Sequence, residues 1–391
     1  MEMDIDTLQK EIDKIVYLIR RGYPKERIMK KIKGGFFSKE KMFEIARCRI
    51  KAVKKFGNDG KMLFFDENGL RYSTLPEVAE YRAKRIGGEM IADMGCGVGI
   101  QLLYFSYYAK KCYGVEMDGL RASLAKLNLM VKGVKNVEVM EGDALDDEIF
   151  YGVDVDTIFC DPSRKPEERA RKFETLSPNP LKIYEIYRKK TDRMAFELPP
   201  HISKKEIKIE GEREYISFNF RLNRLALYTG NIAECNVSAV SLPSMERVSN
   251  EDEGLEIKKS NEIMDYLYEV DTTIIKAELL KNLCGKIGFE GVILKEGKRY
   301  ILSSKSIYSS NFLKTYHVMK VCNFSYSKIN KELKKLGAGK AIPRFSLSPD
   351  KYWNIRNIIE DGLEGEKRYY VFRIDGKAVI CFLSSQKHDL A

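Results

Sequence analysis

The chain has 391 residues, enough for two or three domains, and 44% of them are hydrophobic, an ordinary globular share. No apolar run approaches the roughly 18–20 residues of a membrane-spanning helix, so a membrane partner is not expected. Lysine and arginine outnumber aspartate and glutamate by 68 to 57; the formal charge of +11 reads either as a surface for a polyanionic partner or as a generally basic protein.

In chain order, residues 1–7 are acidic and lack the apolar core of a secretory signal, which with the composition suggests a cytoplasmic protein. Leu8, Ile12, Ile15, Val16 and Ile19 recur at helical spacing, and Gly22 is a natural stop. Pro24 suits the start of a second helix over 25–33, and Ser38 can cap a third over 39–55. Lys30 and Lys31 belong to a dense basic set here, which reads as a solvated face or as a surface tracking phosphates. Asn68-Gly69 between apolar runs predicts a hairpin. Thr74-Leu-Pro-Glu77 then reads as a capping box that opens a helix over 77–85.

Residues 89–144 organise the rest. An apolar run, 90–94, meets the turn Gly95-Cys-Gly97-Val-Gly99, and a helical segment follows over 100–109. A second run, 112–115, ends in Glu116; a helix over 119–132 leads to a third strand, 137–140, and then Asp143. This alternation predicts a parallel sheet with crossover helices. Glycines after the first strand let the backbone approach a ligand, and an acid ending the second strand is placed to bind a ribose diol. The spacing G-x-G-x-G, with Asp93 two residues before the first glycine, suits a pyrophosphate poorly and an ammonium well. A ligand with adenosine at one end and an amino acid at the other is S-adenosylmethionine. The run 155–160 then reaches Asp161-Pro162-Ser163-Arg164, and a fifth strand is expected over 193–198. Residues 215–220 and 225–228 predict a closing hairpin, and 249–259 a charged linker. The last 70 or so residues read as strand, helix, a basic glycine turn over 337–345, helix and two strands. The eight cysteines (48, 96, 112, 160, 235, 284, 322, 381) include no Cys-x-x-Cys, and the histidines (201, 317, 388) are far apart. Neither a zinc site, nor another metal, nor a disulfide framework is expected.

These residues carry a resemblance. Asp93 to Gly99, Glu116, Gly142-Asp143-Ala144 and Asp161-Pro162-Ser163-Arg164 resemble the motifs of class I S-adenosylmethionine-dependent methyltransferases. The segment up to Thr74-Leu-Pro-Glu77 is similar to the lead-in of trimethylguanosine synthase-like methyltransferases. Lys55-Phe56, Glu77-Val78-Ala79, Tyr81-Arg82-Ala83, Ser177-Pro178, Leu225 to Gly230, Tyr266-Leu-Tyr-Glu269 and the 337–344 turn extend the likeness to class I methyltransferases with a C-terminal THUMP-like domain. The resemblance implies an α/β fold: a Rossmann-like methyltransferase sheet, an N-terminal helical region and a small α+β THUMP-like domain. The expected divisions are 1–73 (helical region and hairpin), 74–248 (methyltransferase), 249–320 (connection) and 321–391 (THUMP-like). S-Adenosylmethionine would be bound by Thr74, Asp93, Gly95, Cys96, Gly97, Glu116, Met117, Asp143, Ala144 and Asp161. Asp161, Pro162 and Arg164 would carry catalysis, with Asp161 accepting hydrogens at the target atom and Arg164 stacking on a base or pairing with a phosphate. THUMP-type domains bind RNA, which implies a tRNA or rRNA substrate. Lys340 and Arg344 beside Phe345, together with Lys30 and Lys31, are the candidate RNA contacts, against the plainer reading of solvated loops. Trp353 and Tyr352 read as core. The alternatives are a protein or small-molecule methyltransferase, or a nucleic-acid-binding protein with a vestigial cofactor site. The oligomeric state is open.

Overall fold

The computed structural model describes residues 4–33, 35–150, 152–163, 172–295 and 299–384. The chain forms two compact units, Met1–Arg213 with Arg224–Glu234, and Glu214–Asn223 with Cys235–Ala391. No helix among the described residues is long and apolar enough to cross a membrane.

The first unit begins with helices α1 (Ile5–Arg20), α2 (Lys25–Lys31) and α3 (Lys39–Phe56). Asp4 caps α1 by accepting the N–H groups of Asp6 and Thr7, and Ser38 caps α3 by accepting that of Lys41. Then come α4 (Glu67–Tyr72) and α5 (Pro76–Ile86). The alternating core follows as β1 (Met90–Met94), α6 (Ile100–Phe105), β2 (Lys111–Glu116), α7 (Gly119–Val131), β3 (Val137–Glu141), β4 (Thr157–Cys160), α8 (Pro180–Tyr187) and β5 (Met194–Leu198). Strand β6 (Glu212–Phe218), most of which belongs to the second unit, is followed by β7 (Leu222–Tyr228), which completes the run. In this unit the strands lie in the order β3-β2-β1-β4-β5-β7. β1 is parallel to β2 and β4, β4 is parallel to β5, and β7 runs antiparallel to β5. The order reverses between β1 and β4, and such a switch point opens a crevice at the carboxyl ends of the strands.

The expected hairpin at Asn68-Gly69 is instead the helix α4. Asp66 caps it, accepting the Gly69 N–H at 2.9 Å, and a Cβ on Gly69 would lie 2.3 Å from Asp66 Oδ1. Gly69 therefore admits a close cap rather than a reverse turn. The N-terminal helices expected as a region over 1–73 pack on the alternating core: Ile12, Ile15, Ile45 and Ala52 share one buried cluster with Leu124 and Leu127 of α7. Asn128 ties this layer to the glycine turn, accepting from Phe64 N–H at 2.7 Å and donating to Val98 O at 2.8 Å.

The second unit holds β8 (Val237–Leu242), β9 (Glu246–Ser249), β10 (Lys258–Lys259), β11 (Tyr266–Val270), α9 (Thr272–Ala277), α10 (Leu280–Lys286), β12 (Val292–Lys295), β13 (Ile301–Ser304), β14 (Leu313–Asn323), α11 (Tyr326–Lys335), β15 (Ala338–Pro343), α12 (Pro349–Glu360), β16 (Lys367–Ile374) and β17 (Lys377–Leu383). Its eight-stranded sheet runs β10-β12-β13-β11-β14-β17-β16-β15. Ile329 and Leu333 of α11 and Ile355 and Ile359 of α12 pack against Val371, Ala378 and Ile380 on one face. The division expected at 320/321 falls inside β14, which pairs with β11 through Leu313–His317 and with β17 through Tyr316–Asn323. The expected glycine turn at 337–345 is largely β15, parallel to β16. Gly339 is there for close backbone packing: a Cβ would lie 1.7 Å from Gly365 O. Trp353 is 64% exposed rather than core, because Ile355 and Ile359 occupy the inward side of α12. Phe345 lies in that same core.

Candidate active site

Backbone hydrogen bonds build the turn after β1. The N–H groups of Gly95 and Cys96 both donate to Val115 O at 2.9 Å, and Gly97 N–H donates to Glu116 Oε2 at 2.8 Å. Glu116 Oε1 also accepts from Asp118 N–H, at 3.0 Å. Gly95, Gly97 and Gly99 have φ of +100°, +57° and +78°, a region that side chains with a Cβ rarely adopt. At Gly99 a Cβ would stand 2.9 Å from that of Ala125, so this glycine also lets α6 approach α7. Gly142 N–H donates to Glu116 O at 3.1 Å, which brings Asp143 beside the end of β2.

These elements line a cleft of about 1060 Å³. All ten residues expected at the cofactor face it: Thr74, Asp93, Gly95, Cys96, Gly97, Glu116, Met117, Asp143, Ala144 and Asp161. Pro162 lines it as well. Arg164 lies outside the described residues. Ser163 is fixed to Ser177 by paired backbone bonds of 2.8 and 3.0 Å, and this bridge holds the end of the Asp161-Pro162 loop. The candidate RNA contacts lie elsewhere. Lys30 and Lys31 are exposed on α2, and Lys340 is exposed on β15. The guanidinium of Arg344 is ion-paired with the buried Glu269, whose other oxygen lies 3.8 Å from Arg299.

Asp93 is 1% exposed, and its Oδ1 has no hydrogen-bond partner among the described residues. Burial pushes its carboxyl well above the ordinary range; Asp161 adds to the rise and Arg82 opposes it. Burial likewise raises the Cys96 thiol, so that cysteine is a packing residue rather than a nucleophile. An unpartnered buried carboxyl, with Glu116, Asp143 and Asp161 on the same walls, fits a ligand carrying positive charge and a diol. S-Adenosylmethionine has both.

Three charged residues of the cleft region were not among the expected site residues. Arg82 of α5 is buried and ion-paired with Glu197 of β5, donates to Gln101 Oε1 at 2.7 Å, and lies over the Phe159 ring at 4.8 Å. Burial lowers its guanidinium to about 10, with Asp161 acting in the opposite sense. Glu197 lines the cleft, and Arg224 of β7 stands 3.9 Å from its other oxygen. The sequence holds a signal for the first two. Arg82 sits on the apolar stripe Val78, Ala79, Ala83, Ile86, and Glu197 interrupts the buried run Met194-Ala-Phe-Glu197-Leu198. Complementary charges in two otherwise apolar elements imply a buried pair.

Comparison with known proteins places the fold. The chain matches no protein-family model. It superposes along 99% of its length on the whole of a crystal structure of a candidate methyltransferase from Porphyromonas gingivalis W83, with TM-score 0.77 and 18% identity. It is 24% identical over 261 residues to an uncharacterized S-adenosylmethionine-dependent methyltransferase of Mycobacterium tuberculosis H37Rv, covering 63% of this chain and 70% of that protein. A stretch of 110 residues is 34% identical to an uncharacterized RNA methyltransferase of Clostridium tetani; it covers 27% of this chain and only 24% of that protein's length. The architecture is the Rossmann-like fold of class I methyltransferases, followed by a second, sheet-containing unit.

Proposed function

We propose that this S-adenosylmethionine-dependent methyltransferase delivers its methyl group to a nucleobase of structured RNA, tRNA or rRNA. One observation carries the reading: the carboxylates suited to the cofactor and the Asp161-Pro162 loop line the same cleft. The RNA substrate draws support from the formal charge of +11 and from the partial likeness to an RNA methyltransferase. A THUMP-like role for the second unit, with Lys340 as an RNA contact, belongs to this proposal.

When bound, S-adenosylmethionine supplies an electrophilic methyl group on a sulfonium. Asp93 receives the amino-acid ammonium, and its ionisation is then favoured by the cation it lacks in the free chain. Glu116 accepts from the ribose diol while still holding Gly97, since a carboxylate has about four acceptor sites. Asp143 and Ala144 border the adenine. Asp161, with Pro162 beside it, would accept hydrogen bonds from the acceptor amine and so hold its nitrogen in the cleft, the amine losing one proton to solvent as it is methylated. Alignment of two reactants in one cleft is the main source of rate for an in-line displacement.

Purified chain with methyl-tritiated S-adenosylmethionine, offered small RNA and total protein separately, tests the reading. Label is expected in RNA, with a loss of about 100-fold or more for Asp161→Ala. Label confined to protein overturns the RNA substrate. Failure to bind S-adenosylmethionine at all overturns the enzyme.

A further inference from the structure

The cleft contains groups that the cofactor does not account for. Tyr72, the last residue of α4, lines it at 58% exposure, and its hydroxyl has no hydrogen-bond partner among the described residues. The guanidinium of Arg71, also a cleft residue, lies over the Tyr72 ring at 5.3 Å. The helix that carries them is anchored from two sides. Asp66 caps it, and Lys55 Nζ donates to Leu70 O at 2.9 Å. Arg224 lines the same cleft at 30% exposure. Its Nε has no hydrogen-bond partner among the described residues, and Glu197, its ionic neighbour at 3.9 Å, is already engaged by Arg82. Burial, and after it Arg224, draws the Lys55 ammonium down to about 8, so two cations stand near each other. Arrangements of this kind attract an anion.

The methyl-acceptor loop meanwhile lacks a ring. Asp161-Pro162 is followed by Ser163, whose backbone is committed to Ser177. Three aromatic side chains line the cleft: Phe159 is buried with Arg82 over its ring, whereas Tyr72, with Arg71 over its ring, and His201 are exposed. Of the two exposed rings, that of Tyr72 stands on the helix that Lys55 anchors, with Arg224 near Lys55, and it is the stacking partner for an acceptor base. The geometry assigns a nucleotide site to this part of the cleft: Tyr72 stacks on the base that presents its amine to Asp161, and Arg224 takes an adjoining phosphate. This assignment rests on the RNA reading above and names the residues that make the acceptor a nucleotide.

The test uses the full chain saturated with S-adenosylhomocysteine, which leaves the acceptor region free. A fluorescein-labelled single-stranded RNA octamer is titrated by anisotropy at several salt concentrations, with a polyphosphate of similar charge as a competitor lacking bases. Tyr72→Ala is expected to weaken RNA binding about tenfold, within the range for one stacked base, while leaving polyphosphate binding unchanged. Tyr72→Phe restores RNA affinity, because it keeps the ring. Arg224→Ala is expected to lower the slope of log affinity against log salt by roughly 0.7, the value for one contact to a single-stranded phosphate. S-Adenosylmethionine affinity, followed calorimetrically, stays at the wild-type value in the Tyr72 variants. RNA binding by wild type that neither Tyr72→Ala nor Arg224→Ala alters overturns this site and leaves the RNA substrate standing. A loss in Tyr72→Ala that Tyr72→Phe fails to restore also overturns it, by showing a structural role. Absence of RNA binding by the wild-type chain overturns both.

Discussion

At the scale of single residues, Asp93 carries a cost of burial. Its carboxyl is buried and Oδ1 lacks a donor, so its folded pKa stands well above the ordinary aspartate value. Between the two values the folded chain keeps a proton that the unfolded chain has released. Stability therefore falls as pH rises above the ordinary value of about 4, and the loss is complete once the folded pKa is passed. Asp93→Asn removes that slope. The ligand-free variant is expected to melt above wild type at neutral pH, by an amount equivalent to about 1–3 kcal/mol, with the gap closing on acidification. Calorimetric titration of the same variant is expected to show S-adenosylmethionine binding weakened at least about tenfold, the loss of one charge-assisted contact. A variant that is no more stable than wild type and binds the cofactor normally would remove Asp93 from the ammonium site.

At the scale of elements, the Arg82–Glu197 pair joins helix α5 to strand β5 beneath the cleft. Neither charge reaches bulk water, so each depends on the other for compensation. Glu197→Ala leaves a buried guanidinium unpaired and is expected to cost about 3–5 kcal/mol in urea denaturation. The double variant Arg82→Met/Glu197→Leu removes both charges and is expected to recover most of that loss. Equal damage from single and double variants would mean that packing, rather than charge, dominates here. Element by element, the alternating segment was readable because each signal is local: a short apolar run, a glycine turn, then helical periodicity. β1, α7 and β3 lie within a residue of their expected spans. The failure at α4 has an equally physical cause. Asn-Gly favours a reverse turn in isolation, but a cap from Asp66 and the packing of Leu70 against the helical layer outweigh it.

At the scale of the whole molecule, the charge of +11 is spread unevenly in its availability. Lys30 and Lys31 have exposed positions on α2, although Lys31 also lies over the Tyr23 ring at 5.3 Å. Arg344 is committed to Glu269. In RNA-binding titrations across salt, the double substitution Lys30→Ala/Lys31→Ala is expected to reduce the slope by roughly 1.4–1.8, as for two lost phosphate contacts. Arg344→Ala is expected to leave the slope unchanged and to lower the melting temperature, because it exposes a carboxylate inside the second unit to the loss of its partner. An unchanged slope in the Lys30/Lys31 variant would make that face of α2 a solvated surface.

The alternating segment encodes the glycine-turn wall of the cleft. Asp93, the three glycines, Glu116 and Asp143 occur within about fifty consecutive residues, and each marks the end of a strand or the start of a turn, so chain order alone brings them to one edge of a parallel sheet. The rest of the lining depends on long-range packing. Tyr72, Glu197 and Arg224 come from elements up to about 150 residues apart, and no local periodicity encodes the meeting of all three. The same reason explains the second unit: β14 pairs with β11 on one side and β17 on the other, and such non-local pairing makes one sheet of what the linear chain divides into a connection and a domain.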